Sequence, residues 1–257
     1  MIATRTHARL DGFGDSVFTR MSALARQYDA VNLGQGFPDF PGPDFVKEAA
    51  KRAIDADLNQ YAVSSGAPRL KQQIAIDASV VLGREIDPAR EIVVTNGATE
   101  AVFEAILAFS GPGDEIVVFE PFYDSYPASA QMAGSTFVPV RLEPPDWSFD
   151  VDALRAAITP RTRLILLNTP HNPTGKVFTL DELEQIAALA IEHDLLVVTD
   201  EVYDRIVFSP AMHISIASLP GMWERTITIN STGKTFSLTG WKIGWALGPA
   251  ELVGPIQ

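Results

Sequence analysis

The sequence contains no cysteine, which excludes disulfides and thiolate metal ligands. It is also short of positive charge. Twenty Lys and Arg stand against 32 Asp and Glu, for a formal net charge of −12. A nucleic-acid partner, whose phosphates call for clustered cations, is therefore not expected. No apolar run is long enough to span a bilayer. The opening stretch MIATRTHARLDGFGDSVF lacks the continuous apolar segment of a secretory signal. A cytoplasmic protein with no membrane partner is the expectation. Fixed-period repeats and low-complexity segments are absent too. What is present is ordinary for a globular chain of one large or two small domains: 257 residues, 46% apolar and 20% charged.

Short apolar, β-branched runs recur. They are EIVVTNG (91–97), EIVVFEP (115–121), STFVPVRL (135–142), TRLILLNTP (162–170), LLVVTDEVY (195–203), TITINST (226–232) and WKIGWALGP (241–249). Most are continuously hydrophobic, the pattern of a sheet covered on both faces and usually parallel. Helical periodicity lies between several of them. ATEAVFEAILAFSG carries Val102, Ile106 and Phe109 on one face, and TLDELEQIAALAIEHDL carries Leu183, Ile186, Leu189 and Ala190. Thr179 and Glu182 have the spacing of a capping box. PDFVKEAAKRAIDAD and SGAPRLKQQIAIDASVVLG also read as helices. Alternating strands and helices predict an α/β fold, three layers with a mainly parallel seven-stranded sheet. The first ninety residues are more irregular, and the Gly/Pro loop LGQGFPDFPGPDF marks a boundary with an N-terminal arm.

Open parallel sheets bind ligands at the carboxyl ends of their strands. The candidates are the residues that follow each run: Asn96 to Thr99, Glu120 to Tyr123, Asn168 to Gly175, Asp200 to Tyr203, and Ser231 to Lys234. Gly233-Lys234-Thr235 resembles the end of a phosphate-binding P-loop, but Thr228 occupies the position of its first glycine. A dinucleotide G-x-G-x-x-G fails at Asp39. Lys234 follows an apolar strand, so it is either a solvated charge or a site residue. Ala98 and Thr99 open a helix whose free N–H groups suit an anion; an ordinary capped junction explains them equally well. Asn172 sits in a Pro-bounded turn that holds one pose. Asp200 ends a buried strand, where a carboxylate needs a cation or a capping role. His171, His193, Asp200 and Glu201 match no metal-ligand spacing, and no G-x-S-x-G elbow occurs. Trp241 and Trp245 read as core or wall residues of the last strand.

Taken in order, Gly-Ala-Thr (97–99), N-P-T-G (172–175), D-E-V-Y (200–203) and S-x-x-K-T-F-S-x-x-G-W-K-x-G-W (231–245) resemble the class I/II aminotransferases of pyridoxal-phosphate (PLP) fold type I. LGQGFPDF, YAVSSGAPRL and EPFYDSY are most similar to the kynurenine–glutamine transaminase and N-succinyldiaminopimelate aminotransferase group. The resemblance implies pyridoxal 5'-phosphate as cofactor, with Lys234 as the amine that bonds it covalently. Asp200 would pair with the ring nitrogen, Asn172 and Tyr203 would hydrogen-bond the phenolate oxygen, and Tyr123 would stack on the ring. Ala98, Thr99, Ser231 and Lys242 would hold the phosphate, with Tyr61 reaching the cofactor of a partner subunit in a homodimer. Gly36 and Asn172 would meet the substrate. Catalysis would fall to Lys234, Asp200 and Tyr203.

The implied domains are an arm and part of a small domain (1–40), a cofactor-binding large domain (41–249), and the start of an interdomain helix (250–257). The resemblance also implies a further C-terminal domain carrying an arginine for the substrate carboxylate, a role that no residue of this sequence takes. An aminotransferase acting on an aromatic, kynurenine, methionine, glutamine or N-succinyl-diaminopimelate donor and a 2-oxo acid is expected. A β-lyase for cysteine conjugates and a non-catalytic interaction module are the alternatives.

Overall fold

The computed structural model describes residues 7, 9, 13–36, 38 and 40–257. Among these residues, the seven apolar runs form one sheet: β1 (Ile92–Thr95), β2 (Glu115–Glu120), β3 (Thr136–Arg141), β4 (Thr162–Asn168), β5 (Leu196–Asp200), β6 (Thr226–Ser231) and β7 (Gly244–Leu247). The strands lie in the order β1-β7-β6-β5-β4-β2-β3. β3, β2, β4, β5 and β6 run parallel, and β7 runs antiparallel to both of its neighbours. The expected mainly parallel, seven-stranded α/β architecture is met.

Successive side chains in a strand point to opposite faces, and here both faces are covered. Ile116, Val118, Leu164, Leu166 and Val198 pack against α4 (Ala98–Phe109), α5 (Ser125–Ala133) and α9 (Ala250–Val253). Their neighbours Val117, Phe119, Ile165, Leu167 and Val197 pack on the other side against α6 (Val151–Ala157) and α7 (Leu180–Glu192). The continuous hydrophobicity of these strands has this cause. On α3 (Pro68–Leu82), Ile74 and Ala75 close the corner against Ile92, Leu247 and Trp223. The N-terminal side adds α1 (Val17–Gln27), capped where Ser16 Oγ accepts from Thr19 N, and α2 (Asp44–Asp55). Within the expected arm, residues 1–6, 8, 10–12, 37 and 39 lie outside the described residues, as does Asp39 of the failed dinucleotide motif.

Some local expectations need correction. β3 is not buried on both faces; it pairs only with β2 and is largely exposed or half-buried. As an edge strand it tolerates Pro139, which has no N–H to donate to a second neighbour. Trp241 is not in the last strand. It ends a 3₁₀ turn, Thr239–Trp241, and is 43% exposed, because Lys242 at φ +54 breaks the extended backbone before Gly244. Helices α1, α5 and α6 are additional to the helices that the sequence pattern predicts. Pro127 sits in the first turn of α5, where a missing N–H costs nothing, and the seven residues of α6 are too few to show a period.

Helix α7 contains the capping box: Thr179 Oγ1 accepts from Glu182 N at 3.3 Å, and Glu182 Oε2 accepts from Thr179 N at 2.9 Å. Leu183 is fully buried beneath it. Thr179→Ala should cost about 1 kcal/mol, and Leu183→Ala, which leaves a cavity, about 2–5 kcal/mol. Urea unfolding of both variants checks that order.

Candidate active site

Parallel pairing brings the carboxyl ends of the strands to one edge. Asn168 is in register with Asp200, and Gly244 pairs with both Thr95 and Ser231. Residues that follow these strands rim a single cavity of about 720 Å³. Asp200, Asn172, Tyr203, Tyr123, Ser231, Lys234, Lys242, Ala98, Thr99 and Gly36 all line it. Ten of the eleven sequence candidates thus meet in one place.

At one pole sits Asp200, 7% exposed and, among the described residues, without an ion pair. Its Oδ2 accepts from the Tyr126 hydroxyl at 2.7 Å and its Oδ1 from Val202 N at 3.3 Å. Burial raises its pKa; these two hydrogen bonds and the charge of Lys234 oppose the rise, while Glu201 adds to it. A carboxylate so placed is completed by a cation.

The opposite pole suits an anion. Helix α4 opens at Ala98, directly after Gly97 at φ +86. A Cβ on Gly97 would lie 3.1 Å from Lys242 Nζ, so this ammonium stands against the helix N-terminus. A Cβ on Gly244 would lie 2.4 Å from Ala98 N and from Gly97 C, so only glycine lets β7 approach this turn. Ser231 caps the short helix α8 (Thr232–Thr235), its Oγ accepting from Gly233 N at 3.2 Å. Unpaired helix N–H groups, a hydroxyl and an ammonium form an anion cradle.

Between the poles, Lys234 is half-buried in α8. Its Nζ donates to Gly36 O at 3.3 Å and lies 5.4 Å from the centroid of the Tyr203 ring. Burial lowers its pKa; Asp200 pulls it back up and Lys242 lowers it further. A more readily neutral amine is a better nucleophile. Tyr203 is pushed up to about 12, chiefly by burial and then by Asp200, so its O–H remains a donor at neutral pH. Asn172 Nδ2 lies 3.5 Å from that hydroxyl.

Tyr61 is apart from this cavity: its side chain is fully exposed on the loop before α3. Two further residues, Asn168 and Tyr126, support the site from behind. Asn168 accepts from Asn172 N at 2.7 Å and donates to Asp200 O at 2.8 Å, fixing the turn to β5. Tyr126 holds Asp200. Both fall inside segments already singled out, but their polarity gives no hint of which group they touch. Among the described residues, no cluster of His, Asp and Glu suits a metal ion, and no helix is long and apolar enough to cross a membrane.

A family profile for aminotransferase class I and II matches residues 28–256. The chain belongs to the class I and II aminotransferases. It is 49% identical over 254 residues to a probable N-succinyldiaminopimelate aminotransferase, DapC, of Mycobacterium tuberculosis, covering 98% of this chain and 64% of the relative. Human kynurenine–oxoglutarate transaminase 1 is 47% identical over 258 residues, covering 95% of this chain and 61% of that protein. The solved N-succinyldiaminopimelate aminotransferase of M. tuberculosis superposes with a TM-score of 0.94, covering 98% of this chain and 66% of that one. Escherichia coli YbdL, described as having a methionine aminotransferase function, also gives 0.94 at 38% identity, covering 98% of this chain and 66% of its own. The chain therefore spans 64% of the length of the first of these curated relatives.

Pyridoxal 5'-phosphate is the cofactor of class I aminotransferases, and the residues present fit it. The buried carboxylate suits a protonated pyridine nitrogen, the α4 cradle a phosphate, and the Lys234 amine an aldehyde. The cavity also lies within the usual range for a small-ligand site, roughly 300–1,000 Å³.

Two consequences can be measured. Gly244→Ala forces backbone against backbone at the α4 turn. It should destabilise the protein by about 1–3 kcal/mol and speed amide exchange at Ala98 and Thr99. Behind the cavity, Glu201 is buried, with Oε2 3.0 Å from His213 Nε2. Burial depresses the His213 pKa, but the hydrogen bond and charge of Glu201, aided by Asp204, raise it overall. Since the folded pKa lies above the unfolded value of about 6.5, the stability from imidazolium is complete below that value and disappears as pH rises through the folded pKa. Melting temperature should fall as pH rises above about 6.5, and His213→Gln should flatten that slope.

Proposed function

We propose that this chain is the cofactor-binding part of a pyridoxal-phosphate-dependent aminotransferase. It would move an amino group between an amino acid and a 2-oxo acid. The donor would be of the aromatic, kynurenine, methionine, glutamine or N-succinyl-diaminopimelate type. The observation that carries this reading is the half-buried Lys234 amine, sharing one cavity with a buried carboxylate and an anion cradle. Residues 41–249 act as the cofactor-binding domain, with 1–40 as arm and part of a small domain and 250–257 beginning an interdomain helix. Two further features rest on the family resemblance: a cytoplasmic location, and a homodimer in which Tyr61 serves the partner's cofactor. The full exposure of Tyr61 is consistent with that second role.

Bound pyridoxal phosphate supplies an aldehyde and an electron-withdrawing ring. The chain supplies the rest. Ala98 N, Thr99 N, Ser231 and Lys242 bind the phosphate end. Asp200 would hold the ring nitrogen and favour its protonated form. Tyr203 and Asn172 would donate to the phenolate oxygen, and Tyr123, on the cavity wall, would stack on the ring. Lys234 Nζ, the amine nearest neutrality in this cavity, would be the group that holds the aldehyde end and, when free, would accept the proton from the substrate Cα. Gly36 and Asn172 meet the substrate.

The test is to add pyridoxal phosphate, follow an absorbance band above about 400 nm, reduce with borohydride and map the labelled peptide. The label should sit on Lys234, and Lys234→Ala should lose both band and label. A label on another lysine, or a band that survives the substitution, sinks the reading.

A further inference from the structure

Among the described residues, Asp200 has no cation against it, and its two oxygens receive one hydrogen bond each, from different elements. Val202 N reaches Oδ1 at 3.3 Å from the turn after β5, and the Tyr126 hydroxyl reaches Oδ2 at 2.7 Å from the first turn of α5. The tyrosine contact is the shorter, and it is buried: Tyr126 is 2% exposed. Its ring meets Tyr123 edge to face, with centroids 5.6 Å apart and planes at 80°. The α5 entry therefore delivers both a ring to the cavity wall and a donor to the acid. Removed from water, the phenol has no low-energy route to ionisation and stays a donor. The other charges and phenols acting on this part of the cavity are Glu201, which opposes ionisation of Asp200, Lys234, which favours it, and the hydroxyls of Tyr123 and Tyr203.

We propose that Tyr126 is a positioning residue: by donating to Asp200 Oδ2 it keeps that carboxylate ionised and in one orientation, and so keeps the ring nitrogen of bound pyridoxal phosphate protonated. The second half of this inference rests on the function proposed above; the first half concerns only this chain. A hydroxyl donated to a carboxylate favours the charged form. Val202 N is committed to the other oxygen. Losing the hydroxyl moves the proton shared by acid and ring toward the acid.

Tyr126→Phe removes the hydroxyl and keeps the ring that packs in the core. Two measurements separate the two halves of the inference. In the cofactor-free protein, the 13C carboxyl resonance of Asp200 should titrate at higher pH in the variant than in the parent, by about one unit. In protein loaded with 15N-labelled pyridoxal phosphate, the ring nitrogen should lose its proton at lower pH in Tyr126→Phe than in the parent. Tyr28→Phe, which removes a solvent-exposed hydroxyl outside the cavity, should leave that midpoint in place. Cofactor affinity should fall about tenfold in Tyr126→Phe. Coincident carboxyl titrations in parent and variant overturn the proposal, as does an unmoved nitrogen midpoint. If neither protein attaches cofactor at Lys234, the proposed function fails, while the carboxyl titration still reports on the Tyr126–Asp200 contact.

Discussion

The parallel register of β4, β5 and β6 is the constraint from which the site follows. Parallel strands end on the same edge, and each strand here ends in a polar residue: Asn168, Asp200, Ser231. Backbone pairing fixes their spacing before any side chain acts, with Asn168 opposite Asp200. The antiparallel β7 then returns from that edge at Gly244, between Thr95 and Ser231. This insertion brings the α4 N-terminus and Lys242 to the side of the cavity facing away from β4. The separation between acid and anion cradle is therefore a property of strand order.

The electrostatics are built on that frame with little counter-charge. Asp200 is buried and Lys234 half-buried, each shifted toward its neutral form by desolvation and drawn back by the other. The two are not in contact as an ion pair. Lys234 is instead tethered to the carbonyl of Gly36, and Asp200 to Tyr126 and Val202. Such an arrangement leaves unmet demand at each group, since a buried carboxylate and a half-buried amine gain when a ligand brings the complementary charge or electrophile. Glu201 shows the opposite solution one residue along: it is buried and satisfied by His213, Ser215 and Thr199. Adjacent acids on one strand end thus take different roles, because the pleat sends them to opposite faces of the sheet.

Local sequence determined much of this molecule. The seven apolar runs, the two-sided burial of β2, β4 and β5, the Thr179–Glu182 cap and the α4 and α7 faces all follow from side-chain type and spacing alone. So did the motif set that marks the family, because its members carry polar and glycine residues where apolar strands end. The edge position of β3 was hinted at only by Pro139. The short helices α5 and α6 carried no usable period, and the turn that displaces Trp241 from β7 depends on a single left-handed residue, Lys242.

What only the tertiary structure decided is which polar groups meet. Tyr126 is 74 residues from Asp200 in sequence and 2.7 Å from it in space, and Gly36 is 198 residues from Lys234, whose amine it accepts. A phenol in a helix or a carbonyl in a loop has the same local signature whether it faces solvent or a buried acid. Residue type sets which hydrogen bonds a group can form; chain crossing and strand register set which it does form. For the same reason Tyr61, so suggestive in its motif, stands in solvent here, away from the residues with which sequence order grouped it.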